Sequence, residues 1–270
     1  MISSPSTPQG STCDDASQEG LTVAGGRSAM VVLVPGLGLD SRSWHRVRRD
    51  LAGQSTVVTL PSLGLPASRG TDLSVERQAG RLLQSLPRGE AIILVGLSAG
   101  CPVVVQAATR SPDVVALVLV GPVTDPAART WPRMLGQWAR TAGHERPGEA
   151  PVLVPQYRRT GIPSMLRGMD AMRHFRTDLA LGRLTLPVEI VRGEGDRIAS
   201  HAWSSVLREA SNARLTTVLG AAHMVPLTHP GAVAAAVDRA RLRAGLVPLA
   251  RAGHAVPSAP ADPREPSSGL

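Results

Sequence analysis

The chain has 270 residues, 43% of them hydrophobic and 19% charged, a globular composition long enough to bury one large core. Aromatic residues make up only 2%, which excludes an aromatic-rich propeller or a base-stacking platform as a first reading. The formal net charge is +8, but all 29 basic residues are Arg and they are scattered, so no nucleic-acid-binding face is expected.

Residues 1–20 are mostly Ser, Thr, Gln, Gly and Asp and read as a disordered leader. They have neither a basic stretch nor an apolar one, so no secretory signal is expected. Beyond them, short apolar runs fall at residues 30–34, 56–60, 91–95, 115–120, 188–191 and 215–219. They are unalternating, as strands buried on both faces are. Helical patterns lie between them at 41–51, 74–86, 98–109, 202–210 and 231–243. Strand alternating with helix predicts an α/β fold, a mostly parallel sheet covered by helices on both faces.

The interval between the fourth and fifth runs is much longer than the dozen or so residues a crossover needs. Residues 124–186 therefore read as a helical cap inserted over the sheet's ligand edge, between core segments 21–123 and 187–245. Residues 246–270, rich in Pro, Ala and Ser, read as a disordered tail. Cys13 and Cys101 lie in a polar leader and an apolar run, so no disulfide is expected and the cytoplasm is the default location. No apolar run approaches a membrane span, and the pattern calls for neither metal nor organic cofactor. The oligomeric state stays open.

The sharpest local signal is Gly96-Leu97-Ser98-Ala99-Gly100, between a strand and an apolar helix. Such a turn projects a serine hydroxyl above the sheet edge, with helix N–H groups behind it. The same five residues also suit a Gly-rich turn with a capping Ser. After the first strand, Pro35-Gly36-Leu37-Gly38 can fold over the same edge, so that the N–H groups of Leu37 and Ala99 face an oxyanion. A serine nucleophile also needs a base. Of seven His, His223 stands apart, on the loop after the last strand. Asp196 follows the strand before that, and Asp125 is the alternative acid after the fourth strand. Ser98, Asp196 and His223 thus leave three strand ends on one edge.

These motifs resemble those of the α/β-hydrolase superfamily over about residues 21–245: GLSAG at the nucleophile, PGLGLDSRSW ending at Trp44, PVEIVRGEGD at the acid and GAAHMVPLTHP at the His. Pro35 stands where the family usually has His, and TLPSLGLP has lost the Asp and first Gly of the family's next loop. Only residues 21–27 are left for the family's opening hairpin, so at least one edge strand is missing or very short. The resemblance implies Ser98 as nucleophile, His223 as base, Asp196 as acid, and Leu37 and Ala99 as oxyanion hole. It implies hydrolysis of an ester or related acyl bond of a small, mostly apolar molecule. Carbon–carbon hydrolysis, cofactor-free perhydrolysis, a biosynthetic cyclisation and a non-catalytic binding protein remain as alternatives on the same fold.

Four of the six aromatic residues (Trp131, Trp138, Tyr157, Phe175) and four of the seven Met lie in residues 124–186. They make either the segment's own core or an adaptable lid over Ser98. Trp131, Trp138, Tyr157, Met169 and Phe175, with Met224 beside His223, are the expected pocket residues. The same segment has ten Arg against five Asp and Glu, which reads first as a solvated face and second as a preference for a carboxylate-bearing substrate.

Overall fold

The computed structural model describes residues 29–247, apart from Asn212. The leader, the residues expected to form an opening hairpin and nearly all of the tail lie outside that range. The chain opens with β1 (Ala29–Val34), a 3-10 turn (Ser41–Trp44), α1 (His45–Asp50) and β2 (Ser55–Val57). Two short strands follow, β3 (Leu60–Pro61) and β4 (Gly64–Leu65), then α2 (Val75–Gln84), β5 (Ala91–Leu97), α3 (Gly100–Ala108) and β6 (Val114–Val120). Four helices come next: α4 (Trp131–Ala142), α5 (Ala150–Thr160), α6 (Ile162–Met172) and α7 (Thr177–Leu181). The chain then returns through β7 (Val188–Gly193), α8 (His201–Ser211), β8 (Arg214–Val218), α9 (Val225–Thr228) and α10 (Pro230–Arg243).

Six strands form one sheet in the order β2-β1-β5-β6-β7-β8, and every neighbouring pair is parallel. All six C-terminal ends therefore meet at one edge. The inner strands have no solvent-facing side: all seven residues of β5 are buried. Successive side chains enter two cores. Val32, Val34, Ile92 and Leu94 face α2, α3 and α8, while Val31, Leu33, Ile93 and Val95 face α1, α9 and α10. Helix α2 meets the first core with Val75, Gln78, Ala79 and Leu82, the i, i+3, i+4, i+7 stripe of one face.

The second strand is shorter than its apolar run predicts. After Val57 the chain leaves the sheet, and Pro61, which has no N–H to donate, pairs in the small β3–β4 ladder instead. The helix predicted from residue 98 starts at Gly100, because Ser98 has φ +52°, outside any right-handed helix. Among the described residues no helix is long and apolar enough to cross a membrane.

Strand β7 buries a carboxylate. Glu189 of β7 has no exposed surface and is bound at 2.9 Å by both Arg239 and Arg243 of α10. Replacing both Arg by Met strands a buried carboxylate and is expected to cost about 3–5 kcal/mol in urea denaturation. Adding Glu189→Leu should restore most of that loss, because the charge itself is gone. A triple variant as unstable as the double would overturn this account.

Candidate active site

The turn from β5 to α3 is shaped by two glycines. A Cβ on Gly96 would lie 2.8 Å from Cα of Cys101, and one on Gly100 would lie 2.7 Å from the carbonyl oxygens of Val34 and Pro35. Neither position admits a side chain, so β5, α3 and the loop after β1 close on one another. Ser98 sits between them in the left-handed region, unusual for a non-glycine residue and a common device where a side chain must be aimed. Its N–H donates to Val120 O (2.8 Å), and its carbonyl accepts from Cys101 N–H (2.9 Å). Leu37 and Ala99 flank it, and neither N–H meets a backbone acceptor among the described residues.

Asp196 follows β7 and is completely buried. Its Oδ1 accepts N–H donors from Ile198 and Ala199, both at 2.9 Å. Its Oδ2 faces Nδ1 of His223 at 2.7 Å. A carboxylate only accepts, so Nδ1 has the proton and Nε2 is left to accept from Ser98 Oγ at 2.9 Å. Burial favours the neutral forms of both partners. The Asp196 charge and hydrogen bond, with Glu145 behind them, outweigh it and raise the imidazole pKa. His223 and the two N–H donors likewise outweigh burial at Asp196 and lower its pKa. Asp125, the alternative acid, instead accepts the N–H of Ala127 at 2.8 Å.

Several contributors carry no sequence motif. Gly121, at the end of β6, has φ +57°, and a Cβ there would lie 2.9 Å from Cε1 of His223. Its bareness makes room for the imidazole. Arg192, buried in β7, donates to Ala199 O (2.9 Å) and Asp196 O (3.0 Å) and braces the acid loop from below. Glu145, just after α4, accepts the backbone N–H groups of His223 (2.8 Å) and Met224 (3.2 Å) on Oε1. Thr141 of α4 accepts the N–H of Arg197 at 3.1 Å. One end of α4 thus grips both the acid loop and the His loop.

Glu145 also pairs with Glu149. Oε2 of each is buried without a hydrogen-bond partner among the described residues. Burial and the neighbouring Glu145 carboxylate push the Glu149 carboxyl up to about 8. A proton held on Glu149 and donated to Glu145 satisfies both orphan oxygens.

A cavity of about 70 Å³ opens beside Ser98, with Leu37 and Ala99 in its wall. Helices α4 and α6 cover it with Met134, Trp138, Met169 and Met172. Of the expected pocket residues, Trp138 and Met169 line it and the other four do not. Trp131 lies under the Arg173 guanidinium, 6.0 Å from the ring centroid. Tyr157 packs against Gly38, where a Cβ would lie 2.7 Å from Cδ1 of the ring. Phe175 packs on the core beneath α3, and Met224 is buried on the opposite side of the sheet. These four are used to fasten loops and fill cores. Flexible Met side chains supply most of the cover in their place.

A family model described as the alpha/beta hydrolase family matches residues 31–236. The chain belongs to that family. It is 30% identical over 244 residues to polyketide synthase ThaQ of Burkholderia thailandensis, covering 79% of this chain but only 12% of the synthase. Among solved structures it resembles MenH from S. aureus (TM-score 0.63, 16% identity, 81% of this chain and 95% of that one). A thermophilic esterase is similar (TM-score 0.64, 19% identity, 82% and 93%), as is a bromoperoxidase from Bacillus anthracis (0.63, 18%, 81% and 92%). At these identities the likeness shows the fold alone.

The Glu145–Glu149 pair gives stability a pH dependence. The folded chain holds the Glu149 proton more tightly than the unfolded chain, whose Glu titrates near about 4.3. That stabilisation is complete below the unfolded value and is lost as pH rises toward about 8. The raised pKa of His223 acts in the same direction above its unfolded value of about 6.5. Urea midpoints between pH 5 and 8 should therefore fall less for Glu149→Gln than for wild type. Equal slopes would mean that Glu149 holds no proton in this range.

Proposed function

We propose that this chain is a serine hydrolase that cleaves an ester or related acyl bond of a small, mostly apolar molecule. The observation that carries the reading is the continuous hydrogen-bond chain Ser98–His223–Asp196, ending at a largely apolar cavity. The family and the esterase among its structural neighbours support it.

Ser98 Oγ attacks the substrate carbonyl while His223 Nε2 takes its proton. The oxyanion that forms is met by the N–H groups of Leu37 and Ala99, which have no backbone acceptor among the described residues to give up. His223 then returns the proton to the leaving oxygen, and an acyl group remains on Ser98. Water attacks that acyl group with His223 again as base, releasing the acid. Asp196 holds the imidazole tautomer throughout and stabilises the imidazolium. A cytoplasmic home is part of the same reading, supported by the buried free thiol of Cys101.

A fluorophosphonate should label the wild-type protein at Ser98. Ser98→Ala should abolish labelling and lower ester turnover at least about a thousandfold. Since the base must be neutral, kcat/KM should fall as pH drops through the raised His223 pKa. Asp196→Asn should cost about four orders of magnitude in kcat. Labelling that persists in Ser98→Ala would overturn the proposal.

The likeness to part of a polyketide synthase favours a second reading with the same three residues, in which the acyl group passes to an internal hydroxyl and closes a ring. Chromatography of the products from an ω-hydroxyacyl p-nitrophenyl ester separates the two. A lactone supports cyclisation, and only the open hydroxy acid supports hydrolysis.

A further inference from the structure

We infer that Arg129 forms an anion subsite beside Ser98 that holds a carboxylate of the substrate. The inference deepens the serine-hydrolase reading and rests on it for the identity of the reacting bond.

Arg129 follows the short 3-10 turn Pro126–Ala128 and lines the same cavity as Ser98. Its Nε and Nη2 are both buried, and neither has a hydrogen-bond partner among the described residues. Burying a charged donor without a partner is costly, and Arg has no escape, because a guanidinium does not give up its proton in proteins. The other buried polar atoms without partners belong to residues that do not line this cavity. For the Glu145–Glu149 pair a shared proton already accounts for them.

The neighbouring charges leave Arg129 available. Arg173 also lines the cavity, but its Nε binds Asp170 at 2.8 Å and its Nη1 donates to the Arg129 carbonyl at 3.0 Å. That second bond fixes the Arg129 backbone. Asp125 is the carboxylate of the lining. It accepts the Ala127 N–H and forms no ion pair with Arg129 among the described residues. The remaining polar lining side chains, Thr124 and Gln137, are neutral.

One planar guanidinium with two unpartnered donors matches one carboxylate, two parallel hydrogen bonds to two oxygens. The cavity that holds both Arg129 and Ser98 is otherwise walled largely by apolar side chains, Leu37, Met169 and Met172 among them. A fitting substrate therefore has a reactive acyl bond, an apolar stretch and a carboxylate beyond it. The surplus of Arg over acidic residues in 124–186 adds a field of the right sign.

The test is a set of ester pairs, each normalised to its alkaline hydrolysis rate. On the acyl side, p-nitrophenyl hydrogen glutarate is compared with its methyl ester. On the alcohol side, 4-butanoyloxybenzoate is compared with its methyl ester. Wild type should prefer the charged member of at least one pair about tenfold or more in kcat/KM, as a charged hydrogen-bonded contact warrants. Arg129→Gln should bring that ratio close to one, and Arg129→Glu should reverse it. No preference in wild type for either pair, or a ratio unchanged in Arg129→Gln, overturns the inference. A readout without turnover separates it from the serine-hydrolase reading: glutarate, but not glutaramide, should raise the melting temperature of wild type and not that of Arg129→Gln. Stabilisation by glutarate in a protein that no fluorophosphonate labels would keep the subsite and remove the hydrolase. Labelling at Ser98 with no difference between glutarate and glutaramide, and no ester preference, would do the opposite.

Discussion

A carboxylate with no exposed surface has to be matched donor for donor, and much of this structure follows from matching Asp196. Its two oxygens take two backbone N–H groups and one imidazole N–H. The N–H groups come from the turn after β7, and Arg192 holds that turn by its carbonyls from inside the sheet. The imidazole has to arrive from a different strand end, and Gly121, just past the end of β6, leaves the space. Once the ring is seated, its far nitrogen faces the one hydroxyl that the β5–α3 turn lifts off the sheet edge. A parallel sheet makes this economical, because all the strand ends involved lie on the same side.

The parts legible in the sequence were those governed by composition over several residues. Runs such as AIILV cannot be placed anywhere but between two covered faces, and six of them gave six parallel strands. The glycines flanking Ser98 announced a turn too tight for side chains, and the spacing of Asp196 and His223 after apolar runs put them on the same edge. Glu145, Glu149, Gly121 and Arg192 could not be found that way. Each acts through contacts 4 to 102 positions distant in sequence, and nothing local distinguishes a buried Glu in a helical segment from a solvated one. The second strand is shorter than its apolar run because the chain leaves the sheet after Val57 and Leu60–Pro61 pairs with Gly64–Leu65 in a separate small ladder, a turn that hydrophobicity alone does not announce.

The aromatic residues show the same limit from the other side. Their concentration between residues 124 and 186 was a true signal of where rings are needed, but not of what they do. Only Trp138 reaches the cavity. Tyr157 instead presses on Gly38 and so holds the loop that contains Leu37, while Trp131 stacks with an arginine. The rings act as rigid spacers for loops, and the thioethers, with more rotamers available, shape the wall that has to accommodate a guest.

The bond from Glu145 to the backbone of His223 has a consequence for how such proteins diversify. Segments inserted at this point of an α/β sheet are natural units of exchange, since they enter and leave between two strands. Here the segment carries the anchor for a loop that belongs to the sheet. Swapping residues 124–186 for those of a relative would bring new walls to the cavity and, in the same stroke, unfasten the histidine. A functional chimera needs a carboxylate, or an equivalent acceptor, arriving at the same two amides. Inheritance of this lid is therefore tied to inheritance of the chemistry beneath it.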